Sequence, residues 1–358
     1  MLAAGTVDGR LSLVDAETGV VRWEVHNDPG GYVRSVDMSP DGKFVASVAE
    51  SEEFWSLWDV ASGVKSMTGA RHDGTGACSC IVNRSGFRRS LDAGCPILAH
   101  TEGLCGVAFS PCGQTLATAG LDHAVILWLV ETGKAEHRLE AAGNVTSFSA
   151  DGTLLASGSD DSSIRVWSRP TGELLRTITD THIPFVSSVN FSPTKSRWLA
   201  SAGGDEVIHV WDVDSGERVK TLKGCLSSVF SPDGRTIGTF DSSIIDSVIL
   251  VDVESETLMP RRIGHGDEIF SAGFLGKGDK MATGSAGGDC KVWDISDGAL
   301  LTTIELRSPV SSLAWGCDWV RDTQRGVAFA MGNHPRLGAG SQVLRLDVEL
   351  VRVILERA

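Results

Sequence analysis

Histidine, hydroxyl and carboxylate side chains recur together along this 358-residue chain. His100 is followed by Thr118 and Asp122, His182 by Ser201 and Asp205, and His265 by Thr283. One such trio could be a nucleophile, its base and the carboxylate that orients the base, the arrangement of acyl-transfer hydrolases. A catalytic trio is needed once, whereas here the spacing returns with a repeat. The expected role is therefore structural, with mutual donors and acceptors satisfying one another where polar groups are buried. A second cluster, Cys78, Cys80 and Cys95 with His72 and His100, offers zinc-type ligands. Its spacing, C-x-C and then a lone cysteine, matches no zinc pattern. The Asp-Gly pairs at Asp41-Gly42, Asp151-Gly152 and Asp233-Gly234 are turn chemistry, because glycine accepts a positive φ. No calcium loop of alternating oxygen ligands with a terminal Glu accompanies them. The sequence thus predicts no catalytic residue, no metal and no cofactor.

The elements that position these residues repeat with a period of about 40–45 residues. An apolar strand leads into a turn, written SPDG at Ser39–Gly42 and Ser231–Gly234, SPCG at Ser110–Gly113 and SADG at Ser149–Gly152. A second strand follows, and a third ends at a ruler residue: Trp58, Trp128, Trp167, Trp211 or Trp293. Val14, Val251 and Leu346 take that place in weaker units. The alternation before each ruler, as in SIRVW and VIHVW, marks half-buried strands, and no segment shows sustained helical periodicity. Two irregularities stand out. The first unit opens at a second strand, LAAGTVDG, leaving its innermost strand either unsupplied or upstream of residue 1. The interval from Trp58 to Trp128 is about one period too long, which suggests a decayed repeat folded as a loop between blades.

These turns and Trp-Asp strand ends resemble the WD-repeat family over nearly the whole chain. The resemblance implies an all-β propeller, with eight blades of mostly four antiparallel strands expected and seven as the alternative. Residues 1–25 would be a partial first blade, 26–65 a blade, and 66–99 an insertion or decayed repeat. Further blades would occupy 100–140, 141–180, 181–223, 224–263 and 264–306, with 307–358 a last, degenerate blade. The family's hydrogen-bonded tetrad, matched by position, would comprise His100, Thr118, Asp122 and Trp128, and again His182, Ser201, Asp205 and Trp211. A third unit has His265, Thr283 and Trp293 but Gly287 where Asp is expected. The Trp167 unit keeps Ser157 and Asp161 and lacks the His.

The same resemblance places a partner surface at the starts of the innermost strands and the turns between second and third strands. By position it would present Tyr32, Arg34, Cys105, Phe185, Ser187, Glu268 and Phe270, with turn residues Leu121, Asp160 and Gly204. Tyr32 is the one tyrosine of the chain, and aromatic anchors beside an Arg are typical of binding hot spots. A second candidate surface is the arginine cluster Arg71, Arg84, Arg88 and Arg89 of the insertion. The implied function is a non-catalytic scaffold, a subunit of a larger complex that holds a protein or peptide. Forty-six acidic against 32 basic residues, net −14, favour a partner of basic character and oppose nucleic acid. The start MLAAGTVDGR lacks a signal peptide's pattern, and no apolar run of about 18 residues exists to span a membrane. Eight cysteines, mostly within strand patterns, then read as reduced thiols of a cytoplasmic or nuclear protein. Two rival readings are weaker. VDAETGVVRW (Val14–Trp23) resembles the docking segment of quinoprotein propellers but has no second copy, and nothing singles out a lactonase-like metal set. A nucleic-acid-binding rim would need a basic stripe that the chain lacks.

Overall fold

The computed structural model describes residues 1–27, 31–49, 55–69, 71–72, 78–79, 100–140, 143–179, 181–224, 226–240 and 247–315. They form seven four-stranded antiparallel sheets and one short two-stranded pair, with no helix among the described residues. Named by ruler residue and given from inside outwards, the Trp58 blade holds Val33–Met38, Phe44–Ala49, Trp55–Asp59 and Lys65–Thr68. The Trp128 blade holds Leu104–Phe109, Thr115–Gly120, Val125–Leu129 and Ala135–Leu139. Next come the Trp167 blade (Val145–Phe148, Leu154–Gly158, Ile164–Ser168, Leu174–Ile178) and the Trp211 blade (Val186–Phe191, Trp198–Gly203, Val207–Asp212, Arg218–Lys223). The Val251 blade is Ser227–Phe230, Thr236–Phe240, Ser247–Asp252 and Thr257–Gly264, and the Trp293 blade is Ile269–Leu275, Lys280–Ser285, Asp289–Asp294 and Leu300–Glu305.

The seventh blade joins the two ends of the described chain. Its second, third and outer strands are Leu2–Thr6, Arg10–Val14 and Val21–His26, and its innermost strand is Val310–Trp315. Leu2 pairs with Trp315, Ala4 with Leu313 and Thr6 with Val310. The blade count is therefore seven, the alternative rather than the eight expected. The strand missing from residues 1–25 is supplied by the segment read as the start of a separate unit. Leu346, the ruler of that unit, lies outside the described residues. Closure leaves no open seam, as a ring of sheets requires. Ser311 Oγ donates to the carbonyls of Gly5 (2.9 Å) and Val33 (2.6 Å), and Ser312 Oγ accepts from Val36 N at 3.1 Å.

Among the described residues no further blade stands in the long interval. The innermost strands of the Trp58 and Trp128 blades lie side by side, and Ser35 and Asp37 accept from Val107 N (3.3 Å) and Phe109 N (2.6 Å). Of the insertion, Arg71–His72 pairs with Cys78–Ser79; Cys80, Arg84, Arg88, Arg89 and Cys95 lie outside the described residues.

Several blades are built by the same local chemistry. In the turn after the innermost strand, Ser39 Oγ donates to Asp41 Oδ1 (2.7 Å) and accepts from Phe44 N (2.9 Å), while Gly42 takes φ 67°. Ser149 with Asp151 and Ser231 with Asp233 repeat it, each at 2.6 Å. The Asp of Trp-Asp is also a turn residue: Asp59, Asp212 and Asp294 accept backbone N–H groups of the following turn at 2.8–3.0 Å. Innermost strands are buried on both sides between neighbouring blades. Outer strands alternate, as in Arg218–Lys223, where Leu222 alone is buried.

Candidate functional site

Burying Trp, His and hydroxyl groups between sheets demands mutual partners. In the Trp128 blade, Trp128 Nε1 donates to Thr118 Oγ1 (2.8 Å), which bonds His100 Nε2 (2.8 Å), and His100 Nδ1 bonds Asp122 Oδ1 (2.9 Å). In the Trp211 blade the same series runs Trp211 to Ser201 (2.8 Å), Ser201 to His182 (2.7 Å) and His182 to Asp205 (2.6 Å). Both imidazoles have both nitrogens occupied, and neither Thr118 nor Ser201 is exposed to solvent. This is a chain of satisfied buried groups.

The Trp293 blade corrects the sequence reading. Its tetrad does have an Asp, but it is Asp289, two residues beyond Gly287. The His265 ring is turned over to reach it: Nδ1 meets Thr283 Oγ1 (2.7 Å) and Nε2 meets Asp289 Oδ1 (2.9 Å), while Trp293 Nε1 donates to Thr283 at 2.8 Å. The Trp58 blade has a substitute that the sequence did not reveal, since buried Asn27 accepts from Ser47 Oγ at 2.8 Å and Trp58 Nε1 donates to Ser47 at 2.8 Å. In the Trp167 blade Trp167 reaches Ser157 at 3.0 Å, and Asp161 turns to Arg165 at 2.7 Å.

Cations complete several carboxylates. Burial alone would raise Asp122, but the His100 hydrogen bond and charge, the Thr101 N–H and Arg138 outweigh it and hold the carboxyl well below its usual range. Asp289 is likewise brought to about 2, where burial is overcome by Ser285, His265 and Lys291. Burial lowers His182 and His265 despite their carboxylate partners, which keeps these rings neutral near pH 7.

The residues expected at the partner face separate into two groups. Leu121 is exposed, and Tyr32, Phe185, Glu268 and Phe270 are half-buried at the starts of their innermost strands. Asp160 is exposed and Gly204 half-buried in their turns. Arg34, Cys105 and Ser187 are 5%, 3% and 2% exposed, so they do not form surface. These three lie on strands packed on both sides, where alternation exposes nothing. Arg34 stacks its guanidinium over Tyr32 (5.5 Å to the ring centre), and Ser187 donates to the carbonyls of Ala202 and Leu226. Sequence reasoning missed Ile183, 73% exposed beside exposed Pro184 at the same end of the Trp211 blade. Its position just after a tetrad His, outside any strand pattern, was the available signal.

A different contact set runs round the opposite, outer rim, where the third residue of an outer strand meets the next blade's turn. Trp23 Nε1 donates to Val60 O (2.8 Å) and its ring lies where a side chain on Gly63 would stand. His137 meets Pro170 O (3.3 Å), Lys220 donates to Glu254 O (3.1 Å), Thr302 to Glu17 O (3.4 Å), and Arg176 to Asp214 O. The Trp of the quinoprotein-like segment therefore has counterparts of quite different chemistry. The three cysteines among the described residues with free thiols are Cys105, Cys112 and Cys290, and burial pushes the Cys290 thiol up.

Seven blades in a closed ring, three of them carrying a complete buried Trp–hydroxyl–His–Asp chain, define a WD-type propeller. The family model described as "WD domain, G-beta repeat" matches residues 20–59, 95–128, 133–168, 172–212 and 258–294, more than half of the chain, and the chain belongs to that family. Among curated proteins it is similar to the cell division cycle 20.1 protein, cofactor of APC complex, of Arabidopsis thaliana, 28% identical over 48% of this chain and 43% of that protein. It is 29% identical to the ribosome biogenesis protein WDR12 homolog of Nematostella vectensis over 52% of this chain and 48% of that one. With the nuclear distribution protein nudF of Emericella nidulans it shares 32% identity over 54% and 42%. The matches span about half or less of these relatives. No helix among the described residues is long and apolar enough to cross a membrane.

Proposed function

We propose that this propeller is a non-catalytic scaffold that holds a protein or peptide across the face formed by the starts of its innermost strands and the turns between second and third strands. The observation that carries this reading is the set of apolar side chains at that face. Ile183 is 73% exposed, Leu121 is 36% exposed, and Tyr32, Phe185 and Phe270 are half-buried on three separate blades. Apolar and aromatic groups left partly in water around a ring are what a partner covers. The tetrad His and hydroxyl groups already spend their hydrogen-bonding capacity on one another, which supports a structural use of residues that could otherwise do hydrolytic chemistry.

Net charge −14 supports a partner of basic character rather than a phosphate backbone. The relatives' printed roles, a cofactor of one complex and a factor in ribosome biogenesis, support work as a subunit of a larger assembly in cytoplasm or nucleus. Affinity purification from the native source with wild type beside the Phe185→Ala/Phe270→Ala pair tests it. Proteins lost only from the mutant, with its melting temperature unchanged, are the expected result. Identical proteins on both baits would move the binding surface away from this face.

A further inference from the structure

Among the seven blades the Trp211 blade alone carries a His two residues before its ruler. His209 stands opposite Ser201, at the position held by Ile126, Arg165 and Lys291 in the Trp128, Trp167 and Trp293 blades. Its ring stacks on tetrad His182, with centres 4.7 Å apart and planes at 20°. Both rings turn one nitrogen toward Asp205: His182 Nδ1 lies 2.6 Å from Oδ1, and His209 Nε2 lies 3.8 Å from Oδ2. Both rest the other nitrogen on a hydroxyl, His182 Nε2 on Ser201 (2.7 Å) and His209 Nδ1 on Thr221 (3.2 Å). Two imidazoles facing one carboxylate, each steadied from behind by a hydrogen bond, is the donor set and outer shell of a divalent transition-metal site.

We propose that His182, Asp205 and His209 bind a borderline divalent cation of the Zn²⁺ type. Their ligand atoms all lie within 4.8 Å of one another. A tetrahedral ion with bonds of about 2.0–2.2 Å needs them about 3.3 Å apart. The His182–Asp205 contact must open by about 0.7 Å and the His209–Asp205 gap must close by about 0.5 Å, with His209 also drawn toward His182. Asp205 allows this because its side chain is 30% exposed, and that opening leaves room for water as the remaining ligand. His182 must change tautomer, so that Nε2–H donates to Ser201 and Nδ1 offers its lone pair.

One group opposes the ion. The Arg218 guanidinium reaches within 3.5 Å of His209 Nε2 and must swing away, which its position on the exposed side of an outer strand permits. The sequence offered no hint of this site, because His209 belongs to a strand pattern rather than to a Cys/His spacing.

The test is calorimetric titration of the full chain with Zn²⁺, for wild type, His209→Ile and Arg218→Ala. His209→Ile installs the residue with which the Trp128 blade keeps its tetrad intact. Expected are one Zn²⁺ of this class in wild type, binding at least tenfold weaker in His209→Ile, and binding severalfold tighter in Arg218→Ala. Co²⁺ in place of Zn²⁺ should give a spectrum without thiolate charge transfer, which separates this site from the cysteines of the insertion. No Zn²⁺ binding by wild type, or equal binding by folded His209→Ile, overturns the proposal. If His209→Ile does not fold, Arg218→Ala decides, and unchanged or weaker binding there overturns it.

Discussion

The tetrads and the outer-rim contacts hold the same ring together under opposite rules. A tetrad is nearly closed to water: His100, His182 and His265 are 1–3% exposed, and each must find both a hydroxyl and a carboxylate. A rim contact needs only to cover a turn, and Trp23, His137, Arg176, Lys220 and Thr302 all do so at equivalent positions. Buried polar atoms fix chemistry because an unmet donor costs about 1–3 kcal/mol. Half-exposed packing fixes only shape, since water can complete whatever the neighbour does not. The Trp293 blade shows how strict the first rule is. Its turn lost the Asp, and the structure turned the His ring over to use Asp289 instead.

The comparison can be broken by removing equivalent groups from the two regions. Asp122→Ala leaves buried His100 without its carboxylate and Arg138 with Glu140 alone, and should cost about 3 kcal/mol in denaturant unfolding. Asp161→Ala, whose carboxylate is 48% exposed and has no His, should cost about 1 kcal/mol or less, and equal costs would end the distinction. At the rim, Trp23→Ala should cost about 2 kcal/mol, mostly through lost packing on Gly63.

Acid sharpens the contrast further. His182 and His265 are depressed when folded, so the unfolded chain binds their protons first and stability is lost as pH falls below about 6.5. Asp37 has the opposite sign. Burial, only partly offset by the N–H groups of Phe109 and Met38, raises it to about 8, so its native form keeps a proton that the unfolded chain releases near pH 4. Its contribution therefore favours folding at low pH and is lost as pH rises from 4 to 8. Asp37→Asn should gain on wild type across that window in melting temperatures measured at pH 5 and pH 8. The smallest effect belongs to Thr302→Ala, within about 0.5 kcal/mol in the same denaturant assay, because its rim contact is exposed and long.

Two complete tetrads were legible because types and spacing were both constrained by burial. Asn27, standing in for a His, was not, since an amide fits the same acceptor role without the family's residue. At the proposed partner face, Leu121 is exposed and Phe185 half-buried. Arg34, Cys105 and Ser187 were assigned to surface by their position along the strand, yet the neighbouring blades bury both sides of it.

The sequence by itself determined the blade: turn chemistry at Ser39–Gly42, alternation before each Trp, and the polar partners within one sheet all act over a few tens of residues. Only the tertiary structure decided the ring. Whether Leu2–Thr6 had an innermost neighbour, and whether the count was seven or eight, depended on Val310–Trp315 reaching it from the far end of the described chain. A backbone edge accepts any strand that arrives in register, so its partner's identity is written in closure of the sheet rather than in local residues.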